Sequence, residues 1–284
     1  CHRTNKRTMP ELPEVEHVVR GLRRAVMGQR ILAAEINLPR IIASPAPASF
    51  KRKVRGARIE AINRRGKYIL FELSSGDVLV VHLRMTGKFV CIAPDQPLPP
   101  YPHLVFYLED DRRLIFCDMR QFGRMRLIAA RRLLKLIQLQ SLAPEPLSDD
   151  FSPDYLLTTR STSRRSLKQL LLDQTKILGL GNIYASEALF LARISPFKEA
   201  ASLSRARALR LHQAIRDVLE EAIAAGSTLR IDLSDGIGSY FGTTERFWRV
   251  YERENEACVN CGTRIRRAVQ GGRSTYYCPK CQRT

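Results

Sequence analysis

The sequence predicts an α+β fold: an N-terminal antiparallel β-sandwich with flanking helices, then a helical domain, then a small cysteine-rich terminus. Three observations predict it. From Ile31 to about Ile128 the apolar residues fall in short runs separated by turn residues, the strand pattern. From Ser166 the apolar spacing becomes three and four, the helical pattern. Near the C-terminus Cys258, Cys261, Cys278 and Cys281 read C-x2-C-x16-C-x2-C.

The elements follow in order. Val15, Val18, Val19, Leu22 and Val26 form a helical stripe, with Pro13 suited to the first turn, Glu14 and Glu16 to its positive end, and Gly28 to the stop. Residues 68–73 and 78–83 flank Ser74-Ser75-Gly76-Asp77, a hairpin signal. Residues 104–108 and 114–117 flank a second polar turn, and the proline-rich loop Pro97 to Pro102 interrupts the strands. Several short strands with turns between them suggest the sandwich. Leu167, Leu170 and Leu171, then Ile183, Ala188, Leu189 and Leu191, mark two helices joined by two turns, with Asn182 at the N-cap of the second. The segment 203–225 is the clearest helix, with Leu211, Ile215, Val218, Leu219, Ala222 and Ile223 on one face before Gly226.

The expected division is an extension at 1–9, a sandwich domain at 10–140, a proline-containing linker at 141–155, a helical domain at 156–247 and a metal-closed lobe at 248–284. The length of 284 residues accords with two domains at roughly 150 residues each. A hydrophobic fraction of 44% excludes global disorder. No stretch reaches the ~18 consecutive apolar residues of a membrane helix, so no membrane partner is expected.

Lys and Arg total 47 against 28 Asp and Glu, a net charge of +19. That excess runs through folded-looking sequence, with one run from Lys51 to Lys67 and another through 248–284. It points to a polyanionic partner, nucleic acid first, without saying what is read.

The seven cysteines sort themselves. Four thiolates at the spacing above can close a tetrahedral Zn2+ site with no open position, which makes one structural zinc the expected cofactor. Two disulfides are the alternative. Cys91 and Cys117 lie in apolar runs and read as core residues. Reduced thiols fit a cytoplasmic location.

Set together, the motifs resemble one family, the bacterial formamidopyrimidine-DNA glycosylases. They are Pro-Glu-Leu-Pro-Glu-Val-Glu at 10–16, Arg-Gly-Lys-Tyr at 65–68, His-Leu-Arg-Met-Thr-Gly at 82–87 and Asp-Met-Arg-Gln-Phe-Gly at 118–123. Pro-Glu-Pro-Leu at 144–147, Gly-Leu-Gly-Asn-Ile-Tyr-Ala-Ser-Glu at 179–187 and the four cysteines follow in the family's order. The resemblance implies a helix–two-turns–helix domain, a zinc-finger β-hairpin, and excision of oxidised purines such as 8-oxoguanine from duplex DNA, followed by cleavage of the abasic strand. The family expectation is a monomer.

The resemblance also assigns residues. Pro10 would be the nucleophile through a free secondary amine, with Glu11 as its acid and base partner. A secondary amine can attack the sugar carbon and give an iminium, an electron sink for elimination. This requires that the active chain begin at Pro10, because a retained Met9 would make that nitrogen a tertiary amide. Lys67 and Arg273 would complete the catalytic set, Lys67 at the phosphate flanking the lesion; Arg273 and Asn182 match phosphate-binding positions, and Lys168 and His103 would bind DNA. Met85, Arg120 and Phe122 would enter the duplex where the damaged nucleotide leaves it. Gln121 stands where many relatives have a second basic residue. The stretch Leu233 to Gly242 would be a lid. Two other readings remain: the sister glycosylases for oxidised pyrimidines, and a non-catalytic zinc-ribbon DNA-binding module. Leu12, the Arg120-Gln121-Phe122 run and the long lid favour the purine type.

Overall fold

The computed structural model of the chain describes residues 9–133, 143–160, 165–226 and 248–283; the expected lid at 233–242 and part of the expected linker lie outside them. The described residues form two compact units, one within 1–140 and the other within 141–225 and 243–284.

The first unit opens with the helix Leu12–Val26, which has Pro13 in its first turn and Gly28 just past its end at φ +83°. Nine strands follow: β1 (Ile31–Ile36), β2 (Ile42–Ser44), β3 (Ile59–Arg65), β4 (Tyr68–Leu73), β5 (Asp77–His82), β6 (Gly87–Ile92), β7 (Pro102–Leu108), β8 (Arg113–Asp118) and β9 (Arg124–Ala129). They make two sheets, ordered β1-β7-β8-β6 and β2-β9-β5-β4-β3. Both expected hairpins are present as β4-β5 and β7-β8. One pairing departs from an all-antiparallel sandwich: short β2 runs parallel to β9 at the sheet edge. It can do so because its connection to β9 passes through most of the domain, the long crossover that a parallel pair needs.

One core joins the sheets and the helix. Val15, Val19, Leu22 and Val26 pack with Ile59, Ile62, Phe71, Phe89, Phe106 and Phe116. Each is nearly without exposure, and burying one such side chain contributes about 1.5–3 kcal/mol. Cys91 and Cys117 are buried and reduced, as their apolar runs suggest.

The connections between the sheets matter most for the site. β5 lies in the five-stranded sheet and β6 in the four-stranded one, so residues 83–86 cross from one to the other. Residues 119–123 cross back from β8 to β9. Register places the two crossings side by side, because His82 pairs with Arg124 at one end and Gly87 with Asp118 at the other.

The second unit carries helices Pro153–Arg160, Leu167–Leu172, Asn182–Leu191 and Arg205–Gly226, then the hairpin β10 (Arg266–Gln270) and β11 (Arg273–Tyr277). Ser166 caps the second helix: its Oγ accepts from Gln169 N–H at 3.4 Å, and Gln169 Oε1 accepts the Ser166 N–H at 3.2 Å. Gly181, not Asn182, holds the N-cap of the third helix; Asn182 is its first helical residue. Asn182 is thereby freed from capping, and its amide reaches the zinc-lobe hairpin instead. The helix Asn182–Leu191 is buried nearly all round, although Leu191, expected on its apolar face, is exposed. Leu211, Ile215, Val218, Leu219 and Ala222 are buried along the last helix, as the periodicity predicts. Among the described residues no helix is long and apolar enough to cross a membrane.

Candidate DNA-repair site and zinc lobe

Pro10 and Glu11 are buried at the start of the first helix. Glu11 is the N-cap residue, and its backbone N–H donates to Glu14 Oε2 at 3.0 Å. A carboxylate at the N-terminus of a 15-residue helix is stabilised by the helix dipole. Glu11 is only 3% exposed, so its environment is set by the protein more than by water.

Lys67 follows Gly66 in the two-residue turn between β3 and β4, where Arg65 pairs with Tyr68. Gly66 takes φ +56°, which a two-residue hairpin turn favours. Tyr68 pairs in turn with His82, and their rings meet edge to face at 4.8 Å. The Lys67 turn and the β5 end of the 83–86 crossing therefore share one end of the five-stranded sheet. His82 Nδ1 accepts the Arg84 N–H at 3.0 Å. Burial, then the Arg84 and Lys67 charges, lower the His82 pKa to about 3, so the ring is neutral and keeps that acceptor.

The two crossings bring Met85, Arg120 and Phe122 together. Arg120 Nη1 lies 2.9 Å from Met85 Sδ, and the guanidinium carbon sits 5.2 Å from the Phe122 ring centre. Phe122 is 50% exposed and its neighbour Met119 48%. Large apolar side chains held out in a cluster with one cation are unusual on a surface without a partner. Both crossings also carry non-glycine residues in the left-handed region, Arg84 at φ +58° and Gln121 at φ +59°. Such backbone is costly and persists where surrounding contacts impose it. The Gln121 amide accepts from Arg40, which replaces any basic role at that position with an internal contact.

His103 and Lys168 depart from the expectation of direct DNA contact. His103 is 7% exposed, and its Nε2 lies 2.8 Å from the Asp118 carbonyl. Because a carbonyl only accepts, Nε2 carries the proton. Lys168 is 1% exposed, and its ammonium donates to the Ser274 carbonyl at 2.8 Å and Thr275 Oγ1 at 2.9 Å. Both side chains support neighbouring segments. Asn182 does the same with one end: its Nδ2 donates to the Ser274 carbonyl at 2.9 Å. Ser274 follows Arg273 on β11, so two helices fix the strand that carries Arg273. Arg273 itself is exposed beside a Gly271-Gly272 turn with φ of +56° and +72°.

The hairpin belongs to a lobe closed by four cysteines. Cys258, Cys261, Cys278 and Cys281 place their sulfurs within 4.8 Å of one another. Two of the separations are 3.8 Å, between Cys258 and Cys281, and 3.5 Å, between Cys261 and Cys278. A disulfide needs about 2.05 Å, so the disulfide alternative fails. A tetrahedron with Zn–S bonds of about 2.3 Å has sulfur–sulfur edges of roughly 3.8 Å, which these thiols match. The set fits one structural zinc.

Glu187 escaped the sequence reading. It is 1% exposed, and its carboxylate accepts the N–H groups of Arg249, Val250 and Tyr251, each at 2.9 Å. Burial pushes its carboxyl above the ordinary value, while the three N–H groups and Arg249 pull it back. It ties the third helix to the chain leading into the zinc lobe. Its place at the end of the 179–187 motif was visible, but nothing in the spacing reveals three backbone partners more than 60 residues away.

Comparison with known proteins agrees with this geometry. Residues 9–125 match the formamidopyrimidine-DNA glycosylase N-terminal domain, 142–232 the formamidopyrimidine-DNA glycosylase H2TH domain, and 255–284 the zinc finger found in FPG and IleRS. The formamidopyrimidine-DNA glycosylase of Pelotomaculum thermopropionicum is 44% identical over 97% of this chain and 99% of its own. The Lactococcus lactis Fpg bound to abasic-site DNA superposes with a TM-score of 0.88 at 36% identity, covering 96% of this chain and 100% of its own. The same enzyme bound to Fapy-dG DNA gives 0.87 at 35% identity, again with 96% and 100% coverage. The chain belongs to the formamidopyrimidine-DNA glycosylase family.

Proposed function

We propose that this protein is a base-excision repair enzyme that removes oxidised purines, 8-oxoguanine and formamidopyrimidines, from duplex DNA and then cleaves the abasic strand by β,δ-elimination. The observation that carries the reading is the contact of Met85, Arg120 and Phe122 on two adjacent crossings, a wedge and a donor presented as one surface. Met and Phe can fill the gap left by an extruded nucleotide, and Arg can donate to the orphaned base. Their relatives' complexes with abasic and Fapy-dG DNA support the same partner.

In this reading the Pro10 nitrogen attacks C1′ of the damaged nucleotide, and the base departs. Glu11 supplies the proton that opens the sugar ring, leaving an iminium between Pro10 and C1′. Loss of a C2′ proton into that electron sink expels the 3′ phosphate, and a second elimination expels the 5′ phosphate. A prolyl α-amine with a reference pKa of about 7.7–8.0 has a neutral fraction at pH 7. The step demands a Pro10 nitrogen free of Met9. Lys67 and Arg273 hold phosphates, Asn182 offers its N-terminal helix position to another, and Lys168 and His103 act behind them. We assign catalysis to 10–140, DNA binding to 156–247 and the zinc-held clamp to 248–284. The enzyme works as a cytoplasmic monomer with no membrane partner.

Borohydride trapping tests the reading. Duplex with 8-oxoguanine opposite cytosine should give a covalent adduct, lost when the Pro10 amine is blocked. Trapping mainly with oxidised pyrimidines would move the protein to the sister group. No adduct with any oxidised base, or full activity with Met9 retained, would overturn the enzyme or its nucleophile.

A further inference from the structure

We propose that Thr86 and Asp118 form a latch that sets Met85, Arg120 and Phe122 in one fixed arrangement and so determines discrimination of the base opposite the lesion. The inference rests on the glycosylase reading above. It assigns positioning residues, which do not touch DNA themselves.

The geometry is specific. Asp118 is 1% exposed and Thr86 8%. The Thr86 hydroxyl donates to Asp118 Oδ1 and accepts the Arg120 N–H at 3.1 Å. Asp118 Oδ1 also accepts the Arg120 N–H at 3.2 Å, and Oδ2 accepts the Gly123 N–H at 2.7 Å. The Gln121 N–H donates to the Asp118 carbonyl at 3.1 Å, and His103 holds the same carbonyl. One carboxylate thus gathers both ends of the 120–123 turn, and one hydroxyl ties that turn to the other crossing. No cationic side chain pairs with Asp118 among the described residues; neutral donors alone satisfy it, which a buried carboxylate requires.

The crossings cannot easily drift apart. A Cβ at Gly87 would meet the Leu83 carbonyl oxygen at 2.4 Å and the Phe116 ring at 2.8 Å. A Cβ at Gly123 would meet the same ring at 2.5 Å. Phe116 is fully buried, so both crossings close against one core ring. Loose side chains could fill a gap in the duplex, but they could not compare opposite bases. Discrimination needs a donor held within a fraction of an ångström.

Thr86→Val keeps the volume and removes only the link between the crossings, since Asp118 still holds Arg120 and Gly123. Single-turnover excision of 8-oxoguanine opposite cytosine should fall about tenfold, with processing of a preformed abasic site unchanged to about twofold. The preference for cytosine over adenine opposite the lesion should narrow by a similar factor. Thr86→Ser should restore both, and Thr86→Val should add nothing in an Arg120→Ala background. Unchanged discrimination in Thr86→Val would overturn the latch, as would equal loss of abasic-site processing or full additivity with Arg120→Ala. Failure of the unaltered enzyme to excise any oxidised purine would sink the functional reading instead. Amide exchange then judges the latch alone: Thr86→Val must accelerate the Arg120 N–H, which loses one of its two acceptors, and an equal rate would overturn it.

Discussion

The crossings of the sandwich and the strand that carries Arg273 are built on opposite plans. On the sandwich, Arg120 and Phe122 stand exposed on a crossing with left-handed backbone, and the buried Asp118 carboxylate accepts the N–H groups beneath them. At the zinc-lobe hairpin, the cation Lys168, reaching in from the helix Leu167–Leu172, is itself buried, and its partners are backbone and hydroxyl groups of β11. The first plan presents chemistry; the second fixes a strand so that one exposed residue, Arg273, is presented. The same family pattern therefore hides two kinds of role, and exposure separates them.

The most severe way to test that contrast is to remove the metal. Chelation or Cys281→Ser should unfold the lobe and weaken duplex binding by about 100-fold or more, because a structural zinc supplies folding free energy outright. Amide exchange in β4 and β5 should stay as before. Intact affinity after verified zinc loss would dissolve the contrast.

Lys168→Met comes next. It leaves the Ser274 carbonyl with Asn182 alone and the Thr275 hydroxyl without its donor. The expected cost is about 2 kcal/mol of stability, read by urea unfolding, with weaker DNA binding as a consequence. A variant of normal stability that loses affinity and salt dependence would restore Lys168 as a phosphate ligand.

Arg120→Ala should behave in the reverse manner. Its side chain is exposed, so stability should hold within about 0.5 kcal/mol. Excision opposite cytosine should drop about tenfold, roughly one hydrogen bond to the orphaned base. A large fall in melting temperature would place Arg120 among the structural residues.

These roles were unequally legible in the sequence. Cys258, Cys261, Cys278 and Cys281 were readable because zinc geometry forces a local spacing. The strands and the 205–226 helix were readable because burial imposes a period. Met85, Arg120 and Phe122 needed the family motif, since periodicity alone gives Met and Phe to the core. Lys168 and His103 were assigned to DNA through the family resemblance, and only the fold shows the carbonyls that receive them. Asp118, Thr86 and Glu187 carry no outward signal: their partners are backbone groups, which every residue has, and, for Thr86 and Asp118, each other's side chains 32 residues apart.

The smallest expected effect lies at His82, where the sandwich plan meets titration. Its folded pKa of about 3 stands below an ordinary 6.5, first through burial and then through Arg84 and Lys67. Between those values the unfolded chain binds a proton that the folded chain refuses. Stability from this group is therefore fully present above pH 6.5 and declines as pH falls toward 3. From pH 7 to 5 an ideal site would lose about 2 kcal/mol, and partial solvent access to the ring reduces this to about 1 kcal/mol. Urea unfolding at both pH values, compared with His82→Asn, isolates the contribution. The wild type should lose more stability than the variant by that amount. Equal losses would mean that the ring accepts a proton in place, and that the Arg84 N–H does not depend on a neutral Nδ1 to shape the turn that carries Met85.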